Sequence, residues 1–175
     1  MTTIIVLTGA PRVGKTTTIM RLAWVLKERG VKVGGIVSRE LRTNNMRIGF
    51  DLSTDDKSVL ASLTGRGPKV GKYFVNLEGC RFAAERLKDA AKNSDIIICD
   101  EIGPMELKSK EFIDSIKDLL NVNKKVIAVV HQKLVHAVTD EFRYKCSLLI
   151  EMNLQNREKI SEILLSKCSE GTMLS

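Results

Sequence analysis

The stretch Ile4–Thr16, IIVLTGAPRVGKT, limits the possible folds more than any other part of the chain. Ile4–Leu7 is a short apolar run rich in β-branched residues and closed by Gly9, the pattern of a strand buried on both faces. From Lys15 the period changes. Ile19, Leu22, Ala23 and Leu26 recur at helical spacing, and Gly30 is placed to stop the helix. Two more apolar runs, Ile96–Cys99 and Val126–Val130, flank a helical pattern at Phe112, Ile113, Ile116, Leu119 and Leu120. Strand, helix, strand in that order is a crossover, and crossovers build parallel sheets. Leu148–Ile150 predicts one further strand, and Ile160, Ile163 and Leu164 a closing helix.

The middle of the chain has another texture. VGGIVSREL, the polar Thr43-Asn44-Asn45 and MRIGFDLST read as two strands joined by a turn, with VGKYFV, Val70–Val75, as a third strand. Such an insertion forms one wall of a ligand cleft or is a plain edge hairpin. The expected class is therefore α/β, with a mainly parallel sheet and an antiparallel hairpin insertion.

At 175 residues the chain fits one domain, taken as 1–168, with 169–175 expected to fray. No apolar run reaches the roughly 18–20 residues that cross a bilayer, and the start lacks a signal-peptide pattern, so an intracellular, cytoplasmic protein without a membrane partner is expected. Cys80, Cys99, Cys146 and Cys168 show no C-x-x-C spacing, which gives neither a zinc site nor a disulfide framework. The net charge of +7 suits a polyanionic partner, whether nucleotide, RNA or DNA. The basic residues are spread along the chain and aromatics are only 5%, so no stripe for nucleic acid is evident. Without coiled-coil heptads, a monomer is the default.

Gly9, Ala10, Pro11, Arg12, Val13, Gly14, Lys15 and Thr16 fit G-x-x-x-x-G-K-[ST] in the context that gives the pattern meaning, after a strand and opening a helix. Exposed amides and the positive end of the helix dipole make a concave anion site there, with Thr17 next in line. Lys15 is suited to the β- and γ-phosphates, and the Thr16 hydroxyl to Mg²⁺. Arg12 stands where such loops often carry glycine. It either lies along the phosphates or points into solvent, and a positive φ there would cost about 1 kcal/mol.

The second chemical stretch is Asp95–Leu107, DIIICDEIGPMEL. Asp100 ends an apolar run, where a carboxylate meets the neighbouring loop and can hold Mg²⁺, usually through water. Glu101 points a different way. It is placed either to orient a water in line with a γ-phosphate and take its proton, or merely to pair with a cation. Asp100–Gly103 also fits D-x-x-G, but His131-Gln132-Lys133-Leu134 stands where a guanine-reading N-K-x-D is expected, so guanine selectivity is unsupported.

GAPRVGKTT, MRIGFD, VGKYFV and ICDEIGPMEL, in this order, make the chain resemble the cancer-related nucleoside-triphosphatase family from Ile4 to about Leu165. The resemblance implies a three-layer P-loop NTPase fold and Mg²⁺-dependent hydrolysis of ATP, GTP, CTP and UTP to diphosphates. It further implies that turnover depends on Glu101, and that a second nucleotide-binding segment comprises Ile97, Ile98, Cys99, Asp100, Glu101, Ile102, Gly103 and Pro104. Arg12, and Pro104 where the family commonly has lysine, depart from its pattern. A nucleoside or small-molecule kinase and a nucleotide-dependent RNA- or partner-binding switch are the competing readings.

Among the arginines of the hairpin, Arg47, in the family-like MRIGFD, is the expected third catalytic group beside Lys15 and Glu101, because a guanidinium fork matches phosphate oxygens. Arg39 and Arg42 are expected on the surface. His131 and His136 either touch the nucleotide or are structural, and Trp24 is expected to pack.

Overall fold

The computed structural model describes residues 1–171. The elements are β1 (Thr3–Gly9), α1 (Lys15–Glu28), β2 (Val33–Leu41), β3 (Met46–Asp51), β4 (Lys57–Ser62), β5 (Lys69–Val70), β6 (Tyr73–Val75), α2 (Leu77–Asn93), β7 (Ile96–Ile102), α3 (Lys110–Leu119), β8 (Lys125–Val130), α4 (Ala137–Lys145), β9 (Leu148–Met152) and α5 (Arg157–Ser169). A 3-10 turn, Glu106–Lys108, separates β7 from α3.

All nine strands join one sheet in the order β5-β6-β4-β3-β2-β7-β8-β1-β9. From β2 to β9 neighbouring strands run parallel; from β2 outward to β5 every pairing is antiparallel. The α/β class and its mainly parallel centre are as the sequence predicts. The middle segment is antiparallel, as expected, and extends the main sheet at one edge. β2 pairs in parallel with β7, so the hairpin continues the main sheet. Val70–Val75 is two short strands rather than one, broken at Gly71, whose φ of 58° turns the chain back. β4, α2 and α4 lie in stretches whose periodicity the sequence reading passes over.

Strand alternation sorts the core into two layers. Ile4 and Val6, Ile97 and Cys99, and Val126, Ala128 and Val130 face α2, α3 and α4. Ile5 and Leu7, Ile96 and Ile98, and Ile127 and Val129 face α1 and α5. The period of two along each strand thus yields a three-layer structure. The starts of α2, α3 and α4 are fixed by side chains: Asn76 accepts from the amides of Glu78 and Gly79, Ser109 from Phe112, and His136 from Val138. Each such cap contributes about 1 kcal/mol.

Trp24 is not a packing residue. Its side chain stands on the outer face of α1, 63% exposed. The frayed tail expected over 169–175 meets α5 at Ser169, and residues 172–175 lie outside the described residues. Among the described residues, no helix is long and apolar enough to cross a membrane.

Candidate active site

The loop between β1 and α1 meets the end of β7. Gly14 caps α1 with φ 102°, a conformation that leaves the first amides of the helix open, and Arg12 two residues earlier has φ 66°. Arg12 therefore occupies the left-handed region that its position in the pattern suggested. The Lys15 ammonium bonds to the carbonyls of Gly9 (2.8 Å) and Ala10 (2.7 Å), folded back over its own loop. Burial lowers its pKa, while the charges of Glu101 and Asp100 act in the opposite direction.

Thr16 and Asp100 join the two segments: the threonine hydroxyl donates to Asp100 Oδ2 at 2.9 Å. Asp100 is 1% exposed, and burial, then the neighbouring Glu101 charge, push its carboxyl up to about 7. It lies near the C-terminal end of β7, still paired with Val37 of β2 and Val129 of β8. The two hard oxygen donors suit Mg²⁺, and the carboxylate's charged form gains from any cation placed beside it. No cluster of three or more His, Cys, Asp or Glu among the described residues could hold a metal alone. An ion here would complete its shell with water and phosphate oxygens, which is how Mg²⁺ is usually bound at phosphate sites.

At Glu101 the β7–β8 register shifts, so the residue bulges out of the ladder. A bulge re-aims a side chain. The Glu101 carboxylate meets Arg47 of β3 at 3.7 Å, with the two side chains 20% and 24% exposed. The Nε of Arg47 is buried without a partner. Two of the expected catalytic groups thus hold one another, and an arginine from the antiparallel side reaches the parallel side.

Not all expected site residues gather there. Asp100, Glu101, Ile102, Gly103 and Pro104 lie at or just beyond the β7 end, but Ile97, Ile98 and Cys99 are at most 1% exposed, with their side chains divided between the two core layers. They support the site as packing and offer a ligand no side-chain surface. Arg39 and Lys57 stand over the Phe50 ring, 5.9 and 5.2 Å from its centre. Arg42 is exposed in the turn. His136 is a helix cap, and His131 Nδ1 accepts from the Lys133 amide in its own turn.

Two groups escape the sequence reading. Arg157, at the start of α5, lies against the phosphate loop: a Cβ on Gly14 would stand 3.9 Å from its guanidinium. Nothing in its local sequence marks it, because the approach depends on how β9 and α5 return to β1. Glu106 sits in the 3-10 turn, 4% exposed, with its carboxyl beside Gly103 and Glu101. Its signal was a lone acid inside an otherwise apolar PMEL, which a search for buried polar groups would have flagged.

Comparison with known proteins bears on this geometry. The family profile described as NTPase matches residues 4–165. The nucleoside-triphosphatase THEP1 of Methanopyrus kandleri is 38% identical over 171 residues, 95% of each chain. The crystal structure of THEP1 from Aquifex aeolicus superposes with a TM-score of 0.80 at 31% identity, covering 97% of this chain and 100% of that one. The solution structure of a human cancer-related nucleoside triphosphatase gives 0.82 at 25% identity, covering 97% and 98%.

Proposed function

Because the chain belongs to this NTPase family and is a nucleoside-triphosphate phosphohydrolase, we propose that it hydrolyses ATP, GTP, CTP and UTP to diphosphate and phosphate with Mg²⁺, with Glu101 activating the water. The observation that carries this reading is the meeting of Thr16 with Asp100 at 2.9 Å and of Arg47 with Glu101 at 3.7 Å, both at the mouth of one phosphate loop.

The amides from Gly9 to Thr17 cradle the phosphates at the N-terminus of α1. Lys15 releases the Gly9 and Ala10 carbonyls and turns to the β- and γ-oxygens, exchanging two neutral acceptors for charged ones. Thr16 and Asp100 would hold Mg²⁺, which when bound would neutralise charge on the phosphates. Arg47 leaves Glu101 for the transferring phosphoryl group, and the freed carboxylate orients a water in line with the γ-phosphorus and accepts its proton late. Catalysis is positioning plus electrostatics. His131-Gln132-Lys133-Leu134 in place of N-K-x-D leaves guanine selectivity without support, which agrees with broad base acceptance.

Phosphate release from the four nucleotides with water as sole acceptor, in wild type and Glu101→Gln, tests the reading. Release across the panel that falls on the order of 100-fold or more in the variant, while binding of a non-hydrolysable analogue persists, is the expected result. Unchanged turnover in Glu101→Gln would remove Glu101 from the chemistry. Release that requires a second acceptor would point to a kinase.

A further inference from the structure

Glu106 is a buried acid to which hydrolysis as described assigns no task. We propose that Glu106 is a positioning residue for the hydrolytic step: its carboxyl holds the Glu101 carboxylate across Gly103 by a hydrogen bond and so sets the direction from which Glu101 meets the attacking water. The inference rests on the reading of Glu101 as the water-activating base.

The geometry comes from the turn that follows β7. Leu107 bonds back to the Gly103 carbonyl, and Lys108 and Ser109 close on Met105 and Glu106, which folds the Glu106 side chain back toward the strand end. A Cβ on Gly103 would lie 2.9 Å from Glu101 Oε1 and 2.9 Å from Glu106 Oε2. Both carboxyls therefore converge on one point, and any larger residue would drive them apart. Glu106 is 4% exposed, whereas the Glu101 side chain keeps 20% of its surface and the pairing with Arg47.

The charged and titratable groups around Glu106 decide its state. Glu101 and Asp100 are acids, Arg47 is the cation that acts on it, and the Cys80 and Cys99 thiols feel its charge from α2 and β7. Arg47 pairs with Glu101 and Lys15 acts on Asp100 and Glu101, which leaves Glu106 as the third carboxylate without an ion-pair partner of its own. Like charges so placed do not all ionise; Asp100 accepts the Thr16 hydroxyl and Glu101 pairs with Arg47, whereas the buried Glu106 has neither and keeps its proton. Burial, then the Glu101 charge, accordingly push Glu106 up to about 8. A protonated carboxyl has an O–H to donate, and the neighbouring carboxylate is its strongest acceptor. The arrangement also explains the glycine, since only a residue without a side chain lets the two acids meet.

The test compares kcat and KM for wild type, Glu106→Gln, Glu106→Leu and Glu101→Gln, each checked for folding by its melting temperature and affinity for a non-hydrolysable analogue. Glutamine keeps a donor in the same place, so Glu106→Gln should retain kcat within about threefold; Glu106→Leu should lose on the order of 10- to 100-fold in kcat with KM within about twofold. Wild-type kcat in Glu106→Leu, or equal loss in Glu106→Gln and Glu106→Leu, would overturn the proposal. Should Glu106→Leu fail to fold, infrared spectra of the wild type at neutral pH decide instead. A protonated-carboxyl stretch that disappears in Glu106→Gln but persists in Glu101→Gln supports the proposal, and its absence from wild type refutes it. Full activity in Glu101→Gln would defeat the base reading itself, whereas loss there with no loss in Glu106→Leu defeats only the role of Glu106.

Discussion

The two halves of the sheet are built for different tasks. From β2 through β7, β8 and β1 to β9, strands run parallel, and the inner strands are covered on both faces by helices. From β3 to β5 they run antiparallel. α2 packs beneath β3 and β4, while Phe50 lies half-buried under Arg39 and Lys57 and Arg47 reaches Glu101. The parallel half supplies fixed groups at strand ends, where loops and a helix N-terminus converge, as is usual for open α/β sheets. The antiparallel half supplies a side chain that reaches over. The parallel half can therefore be expected to bind phosphate by itself, whereas the contribution of the other half is confined to the transition state.

The largest effect expected is in the parallel half. Lys15→Ala removes the one ammonium inside the phosphate loop, and kcat/KM should fall on the order of 1,000-fold, with weaker nucleotide binding measured by calorimetry. If binding were unchanged, the folded-back lysine seen here would be a structural group of the loop. Arg47→Ala comes next. As a group that engages only the transferring phosphoryl, it should cost on the order of 100-fold in kcat with little change in affinity for the ground-state nucleotide. An increase in KM alone would break the division between the halves, because Arg47 would then be binding substrate. A double-mutant cycle with Glu101→Gln sharpens the point: the two losses should not add, since the residues are paired in the free enzyme and act on one step.

Legibility in the sequence follows the same division. The parallel half announces itself through buried β-branched runs and a phosphate loop whose backbone geometry demands particular residues, so strand, loop and helix were readable together. Asp100 and Glu101 were readable because acids at the end of a buried strand have few other uses. The antiparallel half shows only short alternating segments. KSVLAS carries too little pattern to be read as β4, and VGKYFV conceals a reversal at Gly71. Arg157 and Glu106 reach the site through tertiary approach, a link that local periodicity does not encode. Ile97, Ile98 and Cys99 show the converse. They adjoin the site in sequence, but alternation turns their side chains into the core.

The halves also differ in the direction of titration. In the parallel half Glu106 is raised, to about 8, by burial and by Glu101. On β2 where it pairs with the antiparallel β3, the hydrogen bond from Tyr73 of β6, at 2.7 Å, is the main cause that holds Glu40 below the usual range, with Arg47, Lys72 and Arg12 also acting to lower it. An acid whose folded value is raised keeps its proton in the folded state after the unfolded chain has lost it. Its contribution to stability is greatest below the unfolded value of about 4.3 and is lost as pH rises toward the folded one. In chelator and without nucleotide, the wild type should therefore lose stability relative to Glu106→Gln between about pH 4 and pH 8 in denaturant titrations. Tyr73→Phe tests the opposite sign: its stabilisation of Glu40 is present above the ordinary carboxylate range and fades as pH falls. A stability difference between wild type and Glu106→Gln that does not vary with pH would mean that Glu106 is ionised in the folded protein, and the contrast would fail.

The smallest effect concerns Arg12 of the phosphate loop. Its φ of 66° costs about 1 kcal/mol relative to glycine, and its charge reaches Glu40 on β2 from the phosphate loop. Arg12→Gly relieves that strain but gives the unfolded chain more freedom, so the net gain should be only about 0.5 kcal/mol. Functionally the same change separates the two orientations of the side chain. A guanidinium lying along the phosphates would be missed in both the ground and transition states, raising KM about threefold at constant kcat and steepening neither pH limb. A solvent-facing one would leave KM unchanged while the melting temperature still rises. Arg12 is exposed on the loop, so a raised KM would assign its guanidinium to the phosphates and an unchanged KM would assign it to solvent. Arg12→Asn supplies the control: asparagine tolerates positive φ, so a KM equal to that of Arg12→Gly would assign the effect to the lost charge and not to a loosened loop.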